Sequence, residues 1–123
     1  MRSLESGRSV GLLSRFPLEF VAWFKLPPFD NALHATLRLE GQLIHIFVVH
    51  SSPNNFFNYP PAEFIPQVIE RYRRRAAEVT RLREEIGPLN EPVVLLCDCN
   101  MRDSSEVYTQ LQIFLCDSFR EAG

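Results

Sequence analysis

A carboxylate and a carboxamide, Asp98 and Asn100, stand two positions apart directly after the apolar run Val93-Val94-Leu95-Leu96-Cys97. Alternate residues of an extended chain share a face, so both polar groups are expected to project together where a buried strand leaves its sheet. Ligands of open α/β sheets collect there, beyond the carboxyl ends of parallel strands. Taken alone, Asp98 reads equally well as a cap on the turn that follows. A second apolar run, Leu43 to Val49, stops in the same way at His50, followed by Ser51, Ser52, Pro53, Asn54 and Asn55. One histidine, one aspartate and one asparagine make a plausible catalytic set. They contain a single carboxylate, however, and a hard divalent ion typically takes two or more oxygen donors.

The elements that must position these groups follow from the pattern. A long helical stretch separates the two runs, and a strand, helix, strand unit is parallel and almost always right-handed. His50 and Asp98 should therefore share one edge of the sheet. The helix is expected to take Pro66 in its first turn and to end at Ile86, before Gly87-Pro88. Its expected apolar stripe is Val68, Ile69, Tyr72, Ala76, Val79, Leu82 and Ile86. Arg71, Arg73, Arg74, Arg75, Arg81 and Arg83 fall largely off that stripe, as a solvated face partly paired with Glu70, Glu78, Glu84 and Glu85; a nucleic acid surface is the alternative. The loop from Ser51 to Pro61 leaves the His50 exit. Asn54, Asn55 and Asn58 are its candidate substrate contacts, while Phe56, Phe57 and Tyr59 read as packing against the core.

Upstream, Ser9 to Leu13 and Leu18 to Leu26 are strand candidates, the second stopped by Pro27-Pro28. Ala32 to Leu39 alternates, with Leu33, Ala35, Leu37 and Leu39 on one face and His34, Thr36, Arg38 and Glu40 on the other. Gly41 turns it into Gln42 to His50, which should pair antiparallel with it and lie nearer the sheet centre. Downstream, Asp103 or Ser104 is expected to cap a helix from Glu106 to about Leu111 that buries Val107, Leu111 and Phe114 or Leu115.

With 123 residues, 46% of them hydrophobic and 23% charged, the chain suffices for one domain around one core. No run approaches the roughly twenty apolar residues of a membrane helix, and the polar start Met1-Arg2-Ser3-Leu4-Glu5-Ser6 is not a secretory signal. A formal net charge of -2 argues against attraction to polyanions through the overall field. Cys97, Cys99 and Cys116 do not form a disulfide framework by pattern, which favours a reducing, cytoplasmic setting, and no second cysteine pair stands at zinc-ligand spacing.

Several segments, in order, resemble the endonuclease/exonuclease/phosphatase superfamily related to deoxyribonuclease I. Gly11-Leu12-Leu13-Ser14-Arg15-Phe16-Pro17 is similar to its "LSR-x-P" segment, Val48-Val49-His50 to its "NTHL" strand end, and Leu96-Cys97-Asp98-Cys99-Asn100 to its "GDFN" motif, followed by Asp117-Ser118-Phe119-Arg120. Asp98-Cys99-Asn100-Met101 and the ending Asp-Ser-Phe-Arg-Glu-Ala look closest to the bacterial branch that includes the VanJ-like proteins. The resemblance implies a mixed sheet with a βαβ crossover inside an α/β sandwich, of which residues 1–123 form a part. It also implies a magnesium-dependent, or manganese-dependent, phosphoester hydrolase: a phosphodiesterase, nuclease or phosphatase acting on nucleic acid, a phospholipid headgroup or another phosphoester.

By position, Asp98 would deprotonate the attacking water, Asn100 would help hold water and phosphate, and His50 would steady charge on the scissile phosphate. Arg15, at the "SR" position, would support the site; a salt bridge at a strand end is its other reading. Cys97 and Cys99 replace the family's usual glycine and phenylalanine as small apolar fillers. The family's metal-binding glutamate and its later Asp-His pair have no counterpart, Glu5 being too near the first strand, which leaves the metal ligands open, a contact of Asp98 through water being one option. The chain is thus expected to be the middle of such a domain or a product starting at an internal methionine. A catalytically inactive remnant serving as a binding or structural module is the competing expectation.

Overall fold

Glu40 and Gly41 both take positive φ, 51° and 85°, the backbone that two-residue hairpin loops require because its twist matches the flanking strands. In the computed structural model, which describes residues 3–6, 10–27, 30–51, 59–102 and 104–123, this turn joins β4 (Asp30–Leu39) to β5 (Gln42–His50). Leu39 lies opposite Gln42 and the antiparallel pairing continues to Leu33 opposite Val48. β3 (Leu18–Leu26) adds antiparallel on the outer side of β4. After α1 (Pro61–Ile86) the chain returns as β6 (Val93–Asp98), parallel to β5, to give a mixed sheet in the order β3-β4-β5-β6. A separate hairpin pairs β1 (Ser3–Ser6) with β2 (Gly11–Ser14), and two short helices follow β6, α2 (Glu106–Gln112) and α3 (Ser118–Glu121).

Each face of the sheet buries a different partner. On one, Leu12 of β2 packs with Leu33 and Ala35, bordered by Val10, Leu18, Val21, Ile46 and Val48. On the other, Val79 and Leu82 of α1 and Val107 and Leu111 of α2 pack with Leu26, Ala32 and Val49. Hairpin, sheet and helices thus form a layered α/β arrangement, and β5 lies inside the sheet as its apolar run requires. β4 departs from the expected half-burial: Ala32 and Thr36 are buried along with Leu33, Ala35 and Leu37, and Ala32 belongs to the cluster that Val79 and Leu82 of α1 form on that face.

Three element readings are corrected. β1 carries no apolar run and was not foreseen; it is held by pairing with β2, where Glu5 lies opposite Leu12. The helix begins at Pro61, so Pro66 lies inside it. The buried helix positions are Arg75, Glu78, Val79, Leu82 and Ile86, whereas Ile69 and Tyr72 of the expected stripe are exposed, as are Phe64 and Ile65. The cause is length. A helix of 26 residues is about 39 Å long, and strands of six to nine residues span only about 20–30 Å, so its first turns overhang the sheet. Arg74 pairs with Glu70 and Arg81 with Glu84 and Glu85, as the charge pattern predicts. Arg75 and Glu78 instead go under, and burial pulls the Arg75 guanidinium below its usual range, with Glu78 opposing.

On the helix-facing side, His34 stacks on Phe47 with ring centroids 4.2 Å apart. Its Nε2 meets His45 Nδ1 at 2.8 Å, and His45 Nε2 lies 3.6 Å from Glu91 Oε2. One ring donates and the other accepts, an arrangement that a second proton destroys. Burial first, then the adjacent His45, hold the His34 imidazole below its ordinary value, against a smaller opposing pull from Glu85. On acidification the unfolded chain therefore takes up the proton before the folded one, so this stability is complete above the ordinary histidine range and is lost as pH falls through it. Urea midpoints measured from pH 8 to 5 should decline, and His34→Gln should flatten that decline. An unchanged slope in His34→Gln would show that the pair does not couple to folding.

Candidate functional site

The crossover sets β5 and β6 in register from His45 opposite Val93 to His50 opposite Asp98. Because parallel strands of one βαβ unit end at the same edge, the imidazole and the carboxylate meet there: His50 Nε2 is 3.7 Å from Asp98 Oδ2. The backbone ties the exits together as well, the Ser51 N–H donating to the Asp98 carbonyl at 2.9 Å. His50 and Asp98 open onto a cavity of about 390 Å³, floored by Val48, Val49 and Leu96 and walled by Val10 before β2. The Asp98 side chain is 72% exposed and that of His50 is 35% exposed, so both can meet a solute.

Asn100 goes elsewhere. Its φ of 46° turns the chain out of the strand, and its Nδ2 donates to the Ser51 carbonyl at 2.9 Å. It lines a groove of about 870 Å³ on the helical side of β6, and the His50–Asp98 cavity is not lined by it. The expectation that Asp98 and Asn100 share a face is therefore corrected: strand alternation stops at Asp98, and Asn100 braces the two exits from behind. Ser51, almost wholly buried, is the residue that sequence reasoning passed over; its place directly after His50 was the available signal. Arg15 is exposed beyond the end of β2 and outside the cavity lining. Among the described residues it makes no ion pair, so the strand-end salt bridge is absent too. Asn54, Asn55, Asn58, Phe56 and Phe57 lie outside the described residues. Tyr59 accepts a hydrogen bond from Arg71 Nη2 at 3.2 Å.

The remaining motif residues hold the chain beyond β6. Asp103 lies outside the described residues, and the α2 cap is Ser105, whose hydroxyl accepts from the Tyr108 N–H. Val107 and Leu111 are buried as expected, with Phe114 packed against the same core. Asp117 caps α3 by accepting from the Phe119 and Arg120 N–H groups, and the Tyr108 hydroxyl donates to it at 2.5 Å. That bond, foremost, lowers the Asp117 carboxyl and raises the Tyr108 phenol. Asp117→Ala removes the acceptor, so tyrosinate absorbance should show one of the three tyrosines ionising at lower pH than before. An unchanged titration curve would mean that the bond is not formed in solution.

Cys97 and Cys99 are joined as a disulfide and Cys116 is free, which corrects the expectation that the cysteine pattern makes no disulfide framework. The physical reason is the chain contraction at the strand exit, which brings the two Cα atoms to 5.1 Å.

Among the described residues no three His, Cys, Asp or Glu side chains cluster to hold a metal ion. At the candidate site the donor set is one carboxylate beside one imidazole, short of the oxygen-rich shell that magnesium demands. These residues alone do not fit a divalent cation.

No protein-family model and no curated protein matches the sequence. Solved structures do match. Sphingomyelinase C from Streptomyces griseocarneus superposes with a TM-score of 0.64 at 16% identity, over 84% of this chain and 37% of that one. Beta toxin from Staphylococcus aureus gives 0.59 at 11% identity, over 84% of this chain and 38% of that one. A β-hairpin deletion mutant of the toxin gives 0.59 at 16% identity, with 83% and 38% covered. The fold is part of a deoxyribonuclease I-like α/β sandwich. The chain spans under two-fifths of the length of these deoxyribonuclease I-like neighbours. No helix among the described residues is long and apolar enough to cross a membrane.

Proposed function

We propose that this chain carries part of the active site of a phosphoester hydrolase, with Asp98 as the base that takes a proton from the attacking water and His50 as the group on the phosphate oxygens. The single observation behind it is the His50–Asp98 pair, 3.7 Å apart at the mouth of an open cavity where two parallel strands end. A carboxylate so exposed can orient a water, while the imidazole, as a donor, complements charge on a phosphoryl oxygen. Asn100 acts by holding Ser51, and through it the two strand ends, in place. Magnesium or manganese belongs to this reading through the family resemblance; among the described residues lining this cavity, Asp98 is the one whose side chain would offer an oxygen ligand. A phospholipid headgroup is the favoured substrate class, since the fold neighbours include a protein named as a sphingomyelinase. The Asp98-Cys99-Asn100-Met101 segment supports a place beside the VanJ-like branch.

The lone carboxylate equally supports a second reading, an inactive remnant that binds phosphoesters without cleaving them. A magnesium titration with bis(p-nitrophenyl) phosphate separates the two, performed on this chain and on a form extended at both ends, each beside its Asp98→Ala variant. The expected result is weak or no turnover by the chain alone and metal-dependent turnover by the longer form, lost in Asp98→Ala. Equal rates with and without the carboxylate would remove Asp98 from the mechanism, and no turnover in any form would leave the remnant.

A further inference from the structure

Only Asp98 separates Cys97 from Cys99. Their Cα atoms stand 5.1 Å apart, whereas two steps along a fully extended strand cover roughly 6.6 Å. The contraction falls where β6 ends at Asp98, just before Asn100 turns into the left-handed region. A disulfide at this spacing closes a small ring that contains the whole backbone of Asp98. Both soft backbone dihedrals of the residue facing His50 are then constrained by the bond. Both cysteines are half-buried and line the groove of about 870 Å³ along β6, the end of α1 and α2, into which Cys116 also faces. The His50–Asp98 cavity is a different one. A small thiol therefore has a route to the sulfurs that leaves the cavity undisturbed.

We infer that Cys97 and Cys99 form a reversible redox site whose disulfide fixes the strand exit at Asp98 and whose dithiol form lets β6 relax toward an extended path. The co-reactant is a small dithiol. Its thiolate attacks one cysteine sulfur, the S–S bond breaks, and the other cysteine leaves as a thiolate that takes a proton. The second thiol of the reductant then displaces the mixed disulfide. Two electrons and two protons pass to Cys97 and Cys99, and the reductant departs as its own cyclic disulfide. Any effect on hydrolysis rests on the role proposed for Asp98; the couple itself does not.

The test uses the full chain with Cys116→Ser, which leaves only the pair, equilibrated in mixtures of reduced and oxidised dithiothreitol, then alkylated and weighed. Two alkylated thiols should appear together in one two-electron transition while the protein stays folded. Hydrogen exchange at residues 97–101 should be at least about tenfold faster at the reducing end, with β4 and β5 unchanged, as for a local opening rather than a global one. Cys97→Ser in the same background should exchange fast at every ratio. The inference is overturned if both thiols alkylate at every ratio, if the pair reduces only on unfolding, or if exchange is the same in both states. Neither readout uses a substrate, so absence of turnover in the form extended at both ends refutes the functional proposal and leaves the redox site standing, provided the pair titrates as stated.

Discussion

Asp98→Ala is expected to lower kcat for phosphodiester hydrolysis by about 10²–10⁴-fold in the form of the protein that turns over, the range for losing a positioned general base. His50→Ala should cost about 10²–10³-fold, as removal of one donor to transition-state charge does. In both variants kcat should fall more than KM rises, because the groups are assigned to charge that develops during reaction. The two side chains lie 3.7 Å apart on paired strand ends, so their effects should not multiply. The double variant is expected to lose less than the product of the single losses. Steady-state kinetics of all four forms decides this. Strict multiplicativity would mean that the two act independently and that their adjacency carries no mechanistic weight.

Phe47→Ala should be the most damaging core change, costing about 3–5 kcal/mol. Phe47 is fully buried in β5, stacks on His34 and meets Phe24 edge-on, so its loss removes both ring contacts and leaves a cavity on the helix-facing side of the sheet. Domains of this size are stable by only about 5–15 kcal/mol, so the variant should lose a large share of its stability and loosen the strand that carries His50, three residues on. Urea unfolding at constant m gives the number. Phe119→Ala is the contrast: that ring is 88% exposed, and its removal should change stability by no more than about 0.5 kcal/mol. A loss under about 1 kcal/mol at Phe47 would show that the aromatic layer is not where the core is held.

Much of the frame was legible because it is local. Gln42–His50, the end of the helix at Ile86 and the strand beginning at Val93 match the apolar runs and their Pro and Gly stops. Gly41 marks the hairpin, though the positive φ of Glu40 beside it has no sequence signal. The adjacency of His50 and Asp98 was legible too, since the handedness of a βαβ unit leaves one edge for both exits. The helix stripe was misread because periodicity reports an apolar face without saying how far the sheet beneath it reaches. Arg75 and Glu78 are buried by what lies under them, and Ile69 and Tyr72 are exposed because nothing among the described residues does.

The amino-acid order by itself determined the strands of the four-stranded sheet, the crossover and the edge at which an imidazole and a carboxylate stand, because apolar periodicity, turn residues and chain chirality act over short stretches. Only the tertiary structure decided that Asn100 turns away to hold Ser51, that Arg15 lies outside the cavity and that Cys97 reaches Cys99. Those outcomes depend on backbone torsions at the strand exit and on contacts across 49 positions, and no local pattern encodes either.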